Sequence, residues 1–151
     1  MPTLQDMNAS LEDARFFYRK LEPIIRGSEQ HQDLEAVRRY FRAYLCCWKS
    51  IFHFVREILN LHQEGSWKAW CKKWEDGLSP SDRNVFNYLR NTRDHDTHQG
   101  MIIVAGEVAA GLYPIVMFQP GRESGPPTEL ISCCDRGLFV AERIIQEYST
   151  V

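Results

Sequence analysis

Between Phe86 and Gly100 the chain reads Phe-Asn-Tyr-Leu-Arg-Asn-Thr-Arg-Asp-His-Asp-Thr-His-Gln-Gly. Arg90, Arg93, His95 and His98 fall in one short run, interleaved with Asn91 and Asp94. A guanidinium presents a rigid fork of donors that matches a phosphate. An imidazole gains and loses a proton near neutral pH. Side by side, these groups can grip a phosphate and move a proton. The run contains two overlapping copies of one pattern, an arginine followed by a polar residue and then a histidine. Arg90-Asn91 leads to His95, and Arg93-Asp94 leads to His98.

Spacing alone is a weak signal. With 13 arginines and five histidines in the chain, chance supplies roughly one such gap. Arg26 with His31 and Arg56 with His62 have a similar gap, but Gly27 and Glu57 follow those arginines. The polar neighbour and the position at the end of a helix therefore carry the signal. On a helix, positions 90, 94 and 98 succeed one another along one face, expected to lie opposite the apolar stripe of Val85, Phe86 and Leu89. Asp94 could pair with Arg90 and orient the imidazole of His98. Arg93 falls nearer the edge of the apolar stripe, from where it would reach His98 only if the helix breaks before Gly100. Two other readings stand beside this one. Such clusters are often solvated caps and i,i+4 pairs, and His95 and His98 with Asp94 or Asp96 could ligate a metal.

The elements that must hold this run are mostly helical. Asn8 or Ser10 can cap a first helix to about Ile25, with Leu11, Ala14, Phe17, Tyr18 and Leu21 at helical spacing. Gly27-Ser28 should end it. The second helix, from about Asp33 to Leu61, carries a continuous stripe that includes Val37, Phe41, Trp48, Phe52, Val55 and Ile58. Trp67, Trp70 and Trp74 mark a short helix or loop after Gly65. Ser79-Pro80-Ser81-Asp82 opens the helix that bears the run, and Gly100 closes it. Residues 101–105 and 112–118 read as two strands of a hairpin, with Pro114 favouring an edge. A loop at 120–127 precedes Thr128, the expected cap of a last helix with Leu130, Ile131, Cys134, Leu138, Ala141, Ile145 and Tyr148 inward. The expected fold is mainly α, a four-helix bundle with a β-hairpin inserted before the last helix, in a single domain over residues 1–151.

The Arg-polar-His run near the end of a late helix, in such a bundle, resembles the HEPN superfamily. The resemblance implies a small helical bundle, often a homodimer, whose catalytic members are metal-independent endoribonucleases and need no cofactor. The RNA 2′-hydroxyl would attack the phosphate, His98 would transfer protons, and an arginine would stabilise the charge developing on phosphorus. The family pattern favours Arg93, Asp94 and His98, because that histidine directly precedes the helix exit. Arg90, Asn91 and His95 remain the other copy. Asp rather than the commoner Asn follows Arg93, and Asp96 adds a negative charge nearby. Such proteins often belong to toxin–antitoxin or phage-defence systems, so RNA and an antitoxin protein are the implied partners. Noncatalytic binding or dimerisation domains share the same fold.

Composition sets the remaining limits. At 151 residues and a net charge of −2, the chain can bury a real core but has no global attraction to nucleic acid. Binding of RNA would need a local basic patch. Arg38, Arg42, Lys49 and Arg56 lie within about 40° of one another on the second helix, either a rail for a phosphate backbone or long stems bordering the core. The tryptophans could stack bases, or pack inward. The five cysteines, Cys46, Cys47, Cys71, Cys133 and Cys134, have neither zinc spacing nor a disulfide framework. Reduced, packed thiols fit a cytoplasmic protein. The N-terminus lacks signal-peptide character, and no apolar run is long enough to span a membrane.

Overall fold

The computed structural model describes residues 2–26, 34–62, 66–99, 102–107, 114–119 and 130–149, with side chains for all of these except 34, 62, 93–99 and the two strands. The glycines at 27, 65 and 100, the loop at 120–127 and the Thr128 cap lie outside the described residues.

Helix α1 runs Leu4–Arg26, beginning well before Asn8 or Ser10. Thr3 is its true cap. The Thr3 amide and hydroxyl donate to Asp6 Oδ2 at 2.6 and 2.8 Å, and the Asp6 amide donates back to Thr3 Oγ1 at 3.2 Å. This reciprocal box satisfies donors that the helix itself leaves unpaired, and it brings Met7 into the buried face ahead of Leu11 and Ala14. Asn8 instead donates through its side chain to the Leu4 carbonyl, at 3.0 Å. Pro23 sits inside the helix without breaking it.

Helix α2, Leu34–His62, is the axis of the core. Val37, Phe41, Tyr44, Leu45, Trp48, Ile51, Phe52, Val55 and Ile58 are all buried along it, as the apolar stripe requires. It packs against α1, against the short α3 (Ser66–Asp76), against α4 (Pro80–Gln99) and against α5 (Leu130–Ser149). The tryptophan-rich stretch is thus a helix. Its end is tight: the Gly77 amide reaches the Lys73 and Trp74 carbonyls at 3.2 and 3.1 Å. Ser79 then caps α4, accepting from the Asp82 amide at 3.1 Å, with Pro80 in the first turn where it costs no hydrogen bond.

Between α4 and α5 lie β1 (Ile102–Glu107) and β2 (Pro114–Gln119), antiparallel, from Ile102 opposite Gln119 to Glu107 opposite Pro114. The fold is mainly α. Helix α5 buries more than the expected face, adding Cys133, Gly137, Val140 and Ile144, while Tyr148 stays half-buried. It does so because it packs against α1, α2 and α4 at once. Its contact with α2 and α4 is closest at Gly137. A Cβ there would lie 2.4 Å from Leu89 Cδ1 and 2.6 Å from the Tyr44 hydroxyl. Tyr44 donates to the Cys134 carbonyl at 2.6 Å, and the Trp48 indole donates to the Gly137 carbonyl at 2.9 Å. Among the described residues, no helix is long and apolar enough to cross a membrane.

Candidate functional site

Helix α4 is continuous from Pro80 to Gln99, so every residue of the Arg-polar-His run sits on helical backbone. Its apolar face (Val85, Phe86, Tyr88 and Leu89) is buried against the core. Thr92 joins that face, wholly buried, with its hydroxyl donating to the Tyr88 carbonyl at 2.7 Å. Asn91 is exposed on the other side.

Arg90 does not stand opposite the apolar stripe. Its guanidinium lies 5.0 Å from the centre of the Phe86 ring and pairs through Nη1 with Glu75 Oε1 of α3 at 2.7 Å. Its Nη2 donates to Asn87 Oδ1 at 3.0 Å. The reason is geometric: a residue four places after Phe86 is turned by only about 40°, so a long side chain reaches back over the ring. Arg90 is thus half-buried, with its charge met by a carboxylate from a neighbouring helix. Of the six candidate residues, the structure places the side chains of Arg90 and Asn91. Arg93, Asp94, His95 and His98 lie on the last turns of α4, and their side chains, with any meeting of arginine and histidine, lie outside the described residues.

A feature absent from the sequence reading adjoins this run. Where α2, α3 and α4 converge there is a cavity of about 110 Å³. Trp48, Phe52 and Phe86 form its aromatic floor, and Trp67 stands at its side. Lys49, Arg56 and Arg90 bring positive charge to it, and His53 lines it beside them. The His53 Nε2 meets Glu57 Oε1 at 2.8 Å. Two of the four basic residues foreseen as a rail, Lys49 and Arg56, therefore serve this cavity. Arg38 pairs instead with Glu35 one turn earlier, Nε to Oε2 at 3.2 Å. The signal that could have revealed the cavity was Lys49, His53 and Arg56 at i, i+4 and i+7, beside an aromatic floor on the same helix.

The tryptophans divide their roles. Trp67, Trp70 and Trp74 stack in sequence, with ring centres 5.5 and 6.0 Å apart. Trp74 is buried 5.1 Å from Phe86 and 5.7 Å from Phe52, whereas Trp67 is half-buried at the cavity. The cysteines are free thiols. Burial pushes the Cys133 thiol up to about 12 and the Cys134 thiol well above its ordinary value. Burial, and next the charge of Glu75, push Cys71 up to about 11. Such thiols hold their protons and are poor nucleophiles. Among the described residues, no three His, Cys, Asp or Glu side chains converge as a metal site; the His95–His98 ligand set lies outside them.

No family model, curated protein or solved structure matches this chain.

Proposed function

We propose that this chain is a HEPN-like, metal-independent endoribonuclease: a four-helix bundle of α1, α2, α4 and α5, with the β1–β2 hairpin set before the last helix. It acts as a cytoplasmic homodimer in a toxin–antitoxin or phage-defence setting, held in check by an antitoxin protein. The observation that carries the reading is the Arg-polar-His run on the last turns of α4; because that helix does not break before Gln99, Arg93 and His98 would meet across two protomers rather than within one. Two chemical roles follow. An arginine, Arg93 by the family pattern, stabilises the charge on the pentacoordinate phosphorus. His98 handles the protons, with a second copy of the run supplied by the partner protomer. The 2′-oxygen bonds to phosphorus, the bond to the 5′-oxygen breaks, and the proton leaving the 2′-hydroxyl is balanced by one delivered to the 5′-oxygen. No metal is required.

Support for using the second copy comes from Arg90, whose guanidinium is engaged with Glu75 inside the chain. The same engagement favours a second reading, a noncatalytic binding or dimerisation domain of the same architecture. One assay separates the two. Purified protein is incubated with several RNAs in excess EDTA, wild type beside His98→Ala and Arg93→Ala. The nuclease reading expects cleavage by the wild type and a loss of about a hundredfold or more in each variant. A folded wild type that cleaves none of the RNAs assigns the binding domain.

A further inference from the structure

Of the large apolar side chains left exposed among the described residues, two are aromatic, Phe16 of α1 and Phe139 of α5. A single exposed ring is ordinary; the surroundings of these two are not. The Arg136 guanidinium lies 4.5 Å from the centre of the Phe139 ring and is itself tied to buried Asp82, Nη2 to Oδ2 at 3.2 Å. Phe139 is thus held in place before any partner arrives, which lowers the entropy lost on association. Beside it opens a cleft of about 300 Å³ between α5 and Arg15 of α1, with Asp135, Leu138 and Glu142 in its walls.

The charges around the two rings are complementary. Within the cleft Arg15 pairs with Glu12 and Glu142, and Arg136 with Asp82. Asp135 is exposed and has no ion pair among the described residues. Phe16 carries the opposite sign. The Lys20 Nζ lies 5.4 Å from the centre of its ring and also has no ion pair among the described residues.

The order of these residues lets one half fit the other. Arg15 meets Glu142. Burial, the bond to Glu22 and then the charge of Asp135 raise the Tyr18 hydroxyl, so Tyr18 lies near Asp135. Advancing along α1 is therefore retreating along α5, and the two helices are antiparallel. Lys20 follows Phe16 by four residues, about 6 Å along its helix, and Asp135 precedes Phe139 by four. Both charges thus lie to the same side of their rings. A two-fold axis running between α1 and α5, along their length, sets Phe16 of one protomer against Phe139 of its partner and brings Lys20 to Asp135. The same contact recurs with the roles exchanged, as a self-complementary interface requires.

We infer that the α1–α5 face pairs with a second copy of this chain, each Phe16 seated in the cleft beside the other protomer's Phe139, and each Lys20 against Asp135. This contact rests only on the homodimer that the nuclease and dimerisation readings share, since no residue of the Arg-polar-His run takes part.

Sedimentation equilibrium of the full-length protein over a wide range of concentration tests it. The wild type should show a monomer–dimer equilibrium. Phe16→Ala and Phe139→Ala should each raise the dissociation constant about thirtyfold or more, as the loss of an aromatic anchor does. Lys20→Glu and Asp135→Lys each set like charges face to face and should each weaken pairing about tenfold. Combined in one chain, the two exchanges should restore it, an effect that loss of folding cannot mimic. A folded wild type that stays monomeric overturns the inference and the homodimer with it. A dimer indifferent to both alanine variants, or a double exchange that restores nothing, overturns this face alone and leaves the homodimer standing. RNA cleavage is read separately and does not enter the result.

Discussion

At the scale of single residues, Gly137 and the buried thiols make the sharpest demands. Alanine at 137 would gain about 1 kcal/mol of helix propensity. Its Cβ, however, must displace Leu89 and the Tyr44 hydroxyl, and the latter is fixed by its bond to Cys134. Overpacking of a tight core costs about 1–3 kcal/mol. Gly137→Ala should therefore lower the urea midpoint, with a net loss of up to about 2 kcal/mol of stability. The thiols offer a second check. With Cys133 pushed up to about 12, its thiolate is scarce at pH 8. Cys133 and Cys134 should resist a disulfide reagent in the native protein and react once denaturant is added. Fast native reaction at either position would refute the packing assigned to them.

At the scale of elements, the start of α4 matters most, because α4 carries the Arg-polar-His run. Two devices hold it. Ser79 caps it. Asp82, only 3 % exposed, bonds Arg136 of α5 (Nη2 to Oδ2 at 3.2 Å) and lies 3.9 Å from Arg143. Ser79→Ala should cost about 1 kcal/mol. Asp82→Ala should cost about 1–2 kcal/mol, at the low end for a charge-assisted pair because Arg136 is half in water. Hydrogen exchange provides the check, with faster exchange at the start of α4 in both variants and in α5 only for Asp82→Ala. Helix α3 has a different task. Through Glu75 it holds the Arg90 guanidinium of α4 over the Phe86 ring.

At the scale of the molecule, stability should depend on alkaline pH in one direction. Cys133, Cys134, Tyr44 and Tyr88 all have raised values in the folded chain, chiefly through burial. Below the ordinary thiol value of 9.0, folded and unfolded chains both keep these protons. Above it, the unfolded chain releases protons that the folded chain retains, so stability is lost as pH rises. Melting temperature should be insensitive to these groups up to about pH 8.5 and fall beyond it. Much of this architecture was legible in the chain. The stripe of α2, the start of α4 at Ser79-Pro80 and the inward residues of α5 follow from helical periodicity. What escaped were features made by tertiary meeting. The α1 cap used Asp6 where a longer acid is customary, so the later Asn8 and Ser10 drew notice. The extra buried face of α5 exists because α1, α2 and α4 all pack against that helix. Arg90 looked solvent-facing because periodicity gives the direction of Cβ, not the reach of a long side chain toward Glu75. The cavity joins residues from three helices, and only its α2 wall, with Lys49, His53 and Arg56 at helical spacing, left a trace in a single stretch.

The indole ladder of α3 has a consequence of an optical kind. Trp67, Trp70 and Trp74 lie with ring centres 5.5 and 6.0 Å apart and with interplanar angles of 23° and 8°. Chromophores this close share their excitation, so the protein carries a built-in reporter of α3. Its circular dichroism should contain an indole exciton band superposed on the helix signal, and Trp70→Leu, which removes the middle rung, should abolish that band. Helix content read from dichroism of the wild type would then be distorted by three side chains, while the same band would tell when α3 docks during folding.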